Sequence, residues 1–148
     1  MVGIIVTGHG NFASGITSAL ELIVGPQDAY EAIDFTSLSG TAELEKDMTA
    51  ALDGLRKRED VDGVLVLCDL VGGTPFKTAA TLGVPLGDVR VVAGVNLGGL
   101  VECATQRDAV TDVDALAKLA KDSMQASVVE FELAAPEPEE DDDFSDGI

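Results

Sequence analysis

Tryptophan is absent, tyrosine occurs once, and aromatic residues make up only 4% of the 148-residue chain. A core without large rings must be filled by aliphatic side chains, and the 46% hydrophobic content supplies them as Val, Leu, Ile and Ala. That filling suits a parallel sheet covered on both faces by helices. Cysteine occurs only twice, at Cys68 and Cys103. Two such residues exclude a disulfide framework and lack the spacing of a metal site. Cys68 stands in an apolar run, where a thiol serves as a small core residue. No basic-then-apolar leader opens the chain and no apolar run is long enough to cross a bilayer, so a cytoplasmic location is expected.

Basic residues are scarce as well. Nine Lys and Arg stand against 27 Asp and Glu, for a formal net charge of −18. Seven of the acids (Glu137, Glu139, Glu140, Asp141, Asp142, Asp143 and Asp146) fall between 134 and 148 with no basic residue among them; taking these seven from −18 leaves −11 on the preceding body. A body this acidic repels phosphate backbones, so no nucleic acid is expected as a partner. It favours encounter with a basic protein surface instead. With Pro136 and Pro138 in it, segment 134–148 is expected to be a disordered acidic tail. Residues 1–133 then form one domain, long enough to bury a core.

Along that domain, β-rich runs alternate with helical stretches. Residues 2–7 are a continuous apolar strand broken at Gly8-His9-Gly10. Asn11 or Ser14 opens a helix that runs to about Val24 and is closed by Gly25-Pro26. Tyr30–Phe35 reads as a shorter second strand, and residues 39–58 as an amphipathic helix with Leu44, Met48, Leu52 and Leu55 at helical spacing. Val64–Cys68 is a third strand, fully apolar, followed by the loop 70–74 and a helix over 75–82. Val89–Ala93 makes a fourth strand, 96–106 and 114–124 two more helices, and 128–133 a last, partly charged strand. Strands alternating with helices in this way predict an α/β fold with a doubly wound parallel sheet. Four buried strands are too few for a full dinucleotide-binding domain, so a flavodoxin-like sheet of order 2-1-3-4 is the better fit.

In that topology the first and third strands are neighbours, and chemistry collects beyond their carboxyl ends. Those ends carry His9, the only histidine in the chain, and Asp69, which directly ends the third strand. The two are therefore expected to lie close together. A neutral imidazole is nucleophilic at one nitrogen while the other carries the proton. A carboxylate that accepts the N–H fixes the tautomer and steadies the developing positive charge. No serine or cysteine stands where a third member would be, so the imidazole itself is the expected acceptor of a phosphoryl group. Thr74-Pro75 reads as a helix N-cap and first-turn pair. Its N–H groups, with those of Gly72 and Gly73, could cradle the anion; the helix starting after Gly10 offers a second cradle. Lys77 either adds charge in the first turn or is a solvated surface residue.

One competing pattern is present. Gly8, Gly10 and Ala13 fit G-x-G-x-x-A between a strand and a helix, and Asp34 closes the second strand where a ribose-binding acid would sit. A dinucleotide-binding module therefore stays open as an alternative, although the chain has no room for a substrate domain and that site leaves the Asp69 loop without a role. A receiver domain phosphorylated on Asp69 would need an acidic pair for Mg²⁺ at the end of the first strand, where none stands.

Val6-Thr7-Gly8-His9-Gly10 with Phe12-Ala13-Ser14-Gly15, then Asp69-Leu70-Val71-Gly72-Gly73-Thr74-Pro75-Phe76, then Ala93-Gly94-Val95-Asn96, resemble the enzyme IIA component of the mannose-type sugar phosphotransferase system. The similarity runs in order from Met1 to about Asp108, and more loosely to Leu133. The resemblance implies that phospho-HPr donates a phosphoryl group to Nε2 of His9 and that an enzyme IIB component receives it, serving membrane permease components in sugar uptake. It implies that Asp69 hydrogen-bonds the other ring nitrogen; from the reading of the helix ends, Gly10, Gly72, Gly73 and Thr74 are the expected phosphate-binding residues. It also implies a homodimer in which the strand at 128–133 crosses to the partner's sheet, and no cofactor or metal. The wording of the "FASG" and "GGTPF" segments is closest to the N-acetylgalactosamine-like branch. The chain stops where a linker and a IIB domain could follow, which is the pattern expected of a stand-alone IIA. The phosphocarrier of dihydroxyacetone kinase is the related alternative, with a histidine loop that usually lacks the second glycine.

Overall fold

A computed structural model describes residues 1–134. The expected acidic tail lies, from residue 135, outside the described residues. The elements are β1 (Gly3–His9), α1 (Phe12–Val24), β2 (Tyr30–Phe35), α2 (Thr41–Arg56), β3 (Val64–Cys68), α3 (Thr74–Gly83), a short 3-10 turn at Val84–Leu86, β4 (Val89–Ala93), α4 (Leu97–Gln106) and α5 (Val113–Ala126). The sheet order is β2-β1-β3-β4 and every pairing is parallel, as the alternation of elements predicts.

Period-two alternation divides the strand residues between two cores. Ile4 and Val6 of β1 and Leu65 and Leu67 of β3 point to one face, where Leu20 of α1, Leu100 and Cys103 of α4, and Leu116 and Ala120 of α5 cover them. Ile5, Val64, Val66 and Cys68 point to the other, under Leu44, Met48, Leu52 and Leu55 of α2 and Ala79 of α3. Burying an aliphatic side chain of this size contributes roughly 1.5–3 kcal/mol, so β1 and β3 form the most strongly held part of the sheet. The register sets Thr7 beside Cys68, which brings the residues after β1 and β3 out at the same edge.

Local chemistry sets the helix boundaries. Gly25, at φ 80°, ends α1 by donating its N–H to the Glu21 carbonyl. α2 begins at Thr41 rather than 39, because Ser39 closes a turn with Thr36, accepting the Thr36 N–H at 2.9 Å. Asp112 caps α5 through the Ala115 N–H at 2.8 Å. The buried Arg107 donates to the carbonyls of Ala29 and Asp28, tying the end of α4 to the loop before β2.

The strand expected at 128–133 is not formed. These residues leave α5 as irregular, exposed chain. α5 ends near the carboxyl end of β4, where Val128 shares a groove with Val92, Ala93 and Gly94. To pair with β4 the chain would have to reverse at once, and Ser127-Val128-Val129 carries no turn-forming Gly, Pro, Asn or Asp.

Candidate functional site

His9 is the last residue of β1, and Asp69 follows β3 directly. The pairing of their strands brings them into contact. His9 Nδ1 lies 2.8 Å from Asp69 Oδ2, and the same oxygen accepts the His9 backbone N–H at 2.9 Å. The other oxygen, Oδ1, accepts the Leu70 N–H at 2.7 Å. Burial pushes the Asp69 carboxyl up, but the hydrogen bonds from the His9 backbone, the His9 ring and Leu70 outweigh it and hold the group below the ordinary carboxylate range. An ionised carboxylate only accepts, so the proton between the two belongs to Nδ1 of His9. Nε2 then carries the lone pair. The His9 side chain is 45% exposed and that of Asp69 only 12%, so the nucleophile faces outward on a sheltered support.

Two glycines make this contact possible. A Cβ on Gly8 would stand 2.6 Å from a ring carbon of Phe12 and 2.9 Å from Cγ of Asp69. On Gly73 it would stand 2.7 Å from Cε1 of His9 and 3.4 Å from Nε2, so the backbone of Gly73 lies directly on the imidazole. The same glycine caps α3. Gly73, extended at φ −71° and ψ 168°, is the N-cap, and Thr74 is the first helical residue rather than the cap expected from the sequence. The N–H groups of Thr74 and Phe76 precede the first intrahelical bond, from Lys77 to the Gly73 carbonyl, so the amino end of α3 opens beside His9. Gly72, at φ 77°, turns the chain into this cap, and Gly10, at φ 60°, turns it away from His9. Lys77 lies in the groove between α2 and α3, with Thr41, Glu45 and Thr78.

The second cradle, at the amino end of α1, is filled. Asp34 Oδ1 accepts the Ser14 N–H at 2.9 Å and Oδ2 accepts the Ser14 hydroxyl at 2.6 Å. The acid that completes the dinucleotide pattern in the sequence is thus engaged by the helix whose amino end such a pattern would offer to a pyrophosphate.

Sequence reasoning missed Phe35. Its ring stands edge-on to the His9 imidazole, with centroids 5.9 Å apart and planes at 71°, and its carbonyl accepts the Gly10 N–H at 2.6 Å. The signal was topological: the first strand of a 2-1-3-4 sheet has the end of the second on its other side. Asn96 was also undervalued. Its Oδ1 caps α4 at Gly99 and its Nδ2 donates to the Met124 carbonyl, each at 2.9 Å, which joins α4 to α5. Just before it, the N–H groups of Gly94 and Val95 donate to the Cys68 carbonyl at 2.9 and 3.1 Å, bracing the residue that precedes Asp69. Cys68 is no nucleophile: burial, with the neighbouring Asp69 charge, pushes its thiol up to about 12.

The family model EIIA-man, described as the fructose IIA component of the phosphotransferase system (PTS), matches residues 3–121. The mannose-specific EIIAB component of the PTS from Escherichia coli strain K12 is 32% identical over 142 aligned residues, covering 93% of this chain and 43% of that protein. The chain therefore spans less than half the length of that relative. Among solved structures, the phosphotransferase component EIIA from Streptococcus agalactiae superposes with a TM-score of 0.79 at 33% identity, covering 88% of this chain and 97% of that one. The mannose/sorbose-specific IIA subunit from Enterococcus faecalis gives the same TM-score of 0.79 at 30% identity, over 92% and 98%.

Proposed function

The chain belongs to the EIIA-man family of enzyme IIA components of the sugar phosphotransferase system, and we propose that His9 is its phosphoryl-accepting residue. The lone pair on Nε2 attacks the phosphorus carried by phospho-HPr. The new N–P bond forms as the bond to the donor breaks, and the donor leaves with that electron pair. The proton on Nδ1 stays in place, held by Asp69, whose negative charge offsets the positive charge that develops on the ring. Gly72, Gly73 and Thr74, at the amino end of α3, hold the phosphoryl oxygens with backbone N–H groups, and Gly10 leaves the approach open. The step then runs in the other direction, to an enzyme IIB component that serves the permease in sugar uptake. This reading sets the chain in the cytoplasm; among the described residues no helix is long and apolar enough to cross a membrane.

The observation that carries the proposal is the 2.8 Å contact between His9 Nδ1 and Asp69 at the ends of β1 and β3, beneath a helix amino end. The relatives found are enzyme IIA components of sugar systems, and nothing among them supports a dihydroxyacetone kinase phosphocarrier or a dinucleotide-binding module. Incubation with enzyme I, HPr and phosphoenolpyruvate, followed by intact mass, tests it. One phosphoryl group should be gained, labile to acid and stable to alkali, and absent from His9→Ala. A gain that survives His9→Ala, or no gain with a competent donor system, would overturn it.

A further inference from the structure

Asp34 is the charged residue of the competing sequence pattern, and phosphoryl transfer leaves it without a role. It lies near the end of β2, one strand away from His9. Its carboxylate takes both the N–H and the hydroxyl of Ser14, the third residue of α1, at 2.9 and 2.6 Å. The next residue, Phe35, takes the Gly10 N–H and sets its ring edge-on to the imidazole. Two consecutive residues of β2 therefore grip the segment 10–14 at both ends, and His9 is the residue just before it. The Asp34 charge also occupies the amino end of α1, where partial positive charge would otherwise attract an anion.

We propose that Asp34 is a positioning residue for phosphoryl transfer. By clasping Ser14 it fixes the turn that leaves His9 and closes the amino end of α1, so that a phosphoryl group on Nε2 meets only the amino end of α3. The proposal rests on His9 being the phosphoryl acceptor. Asp34 touches neither the imidazole nor the phosphoryl group; it acts through the backbone of 10–14.

The test measures transfer from phospho-HPr at varied donor concentration, on the full chain. Asp34→Ala removes both bonds to Ser14, and kcat should fall about 10- to 100-fold, the scale of a displaced reacting group. KM should change little, because the effect runs through the placement of His9. Asp34→Asn keeps a carbonyl for the Ser14 N–H and should recover most of the rate. Asp34→Glu keeps the charge but overshoots Ser14, and should behave like alanine. A folded Asp34→Ala protein with unchanged kcat overturns the proposal, as does an asparagine variant that is no better than alanine. Should the alanine variant not fold, the asparagine and glutamate variants decide: equal rates overturn the proposal, and a selective loss in glutamate supports it. The Ser14 amide resonance reads the clasp without any transfer. It should move further in Asp34→Ala than in Asp34→Asn, and a resonance that does not move in alanine also overturns the proposal. A wild-type chain that gains no phosphoryl group refutes the carrier role of His9 instead.

Discussion

The carboxylate of Asp69 accepts three hydrogen bonds on two oxygens, and two of the three come from His9. Asp69→Asn is nearly isosteric and keeps the packing, but it removes the charge and sets an NH₂ in competition for the ring. A charge-assisted hydrogen bond contributes roughly 1.5–3 kcal/mol, so transfer from phospho-HPr should slow about 10- to 100-fold in rapid-quench measurements. The smaller end is expected, since the donor's side chains also stabilise the group in flight. An unchanged rate in a folded mutant would leave Asp69 as a loop cap. The same carboxyl sets a pH dependence. Its pKa is lowered in the fold, so its contribution to stability is complete above the ordinary value of 3.8 and is lost as pH falls through the lowered one. Urea unfolding of Asp69→Asn should therefore lose less stability on acidification than the wild type does. Gly73→Ala is the sharper probe of geometry. At φ −71° alanine costs the backbone nothing, yet its Cβ would lie 2.7 Å from the imidazole. Thermal stability should hold while transfer falls about 10- to 100-fold, the usual cost of moving a reacting atom by an ångström. His9 and Asp69 were legible in the sequence because both stand at the ends of apolar strands. The partnership of Asp34 with Ser14 was not, because a strand-end acid looks the same whether it caps a helix or binds a ribose.

The strands were legible for a different reason. Runs such as Val64–Cys68 are apolar at every position, which only a sheet covered on both faces requires. Leu67 tests that arrangement. It is fully buried against α1, α4 and α5, and Leu67→Ala should cost about 2–5 kcal/mol in urea unfolding, with the spread set by how far the site collapses. A loss well below 1 kcal/mol would mean that this face is not a packed core. Helix starts were less legible than strands. The sequence makes Thr74 the natural cap of α3, but the cap is Gly73, whose backbone lies against the imidazole. The closeness of that ring is a tertiary contact, and no local pattern records it. The run 128–133 is the opposite case. Its pattern is that of a strand, and the chain alone offers it no edge within reach.

At the scale of the whole molecule, that exposed strand-like pattern is the feature left to explain. Val128, Val129 and Leu133 are 79%, 79% and 90% exposed, an apolar display that a lone, strongly acidic domain has no use for. Residues Val129, Phe131 and Leu133 alternate with Glu130 and Glu132, so an extended 128–133 would turn one apolar face and one acidic face. β4 is an edge of the sheet, and the groove of about 220 Å³ beside it is lined by Val92, Ala93, Met124 and Val128. An edge strand and an exposed amphipathic segment on the same chain satisfy each other when two copies exchange segments about a two-fold axis. A homodimer is therefore the expected state in solution, with 128–133 of each copy laid along β4 of the other. Light scattering at micromolar concentration should give twice the chain mass. A chain cut after residue 134 should still dimerise and transfer, whereas one cut after Ser127 should be monomeric and keep its fold. Replacing Val129 with lysine places a charge on the buried face of the exchanged strand and should shift the equilibrium toward monomer. A stable wild-type monomer would remove the exchange, and a dimer that survives the cut after Ser127 would place the interface elsewhere on the molecule.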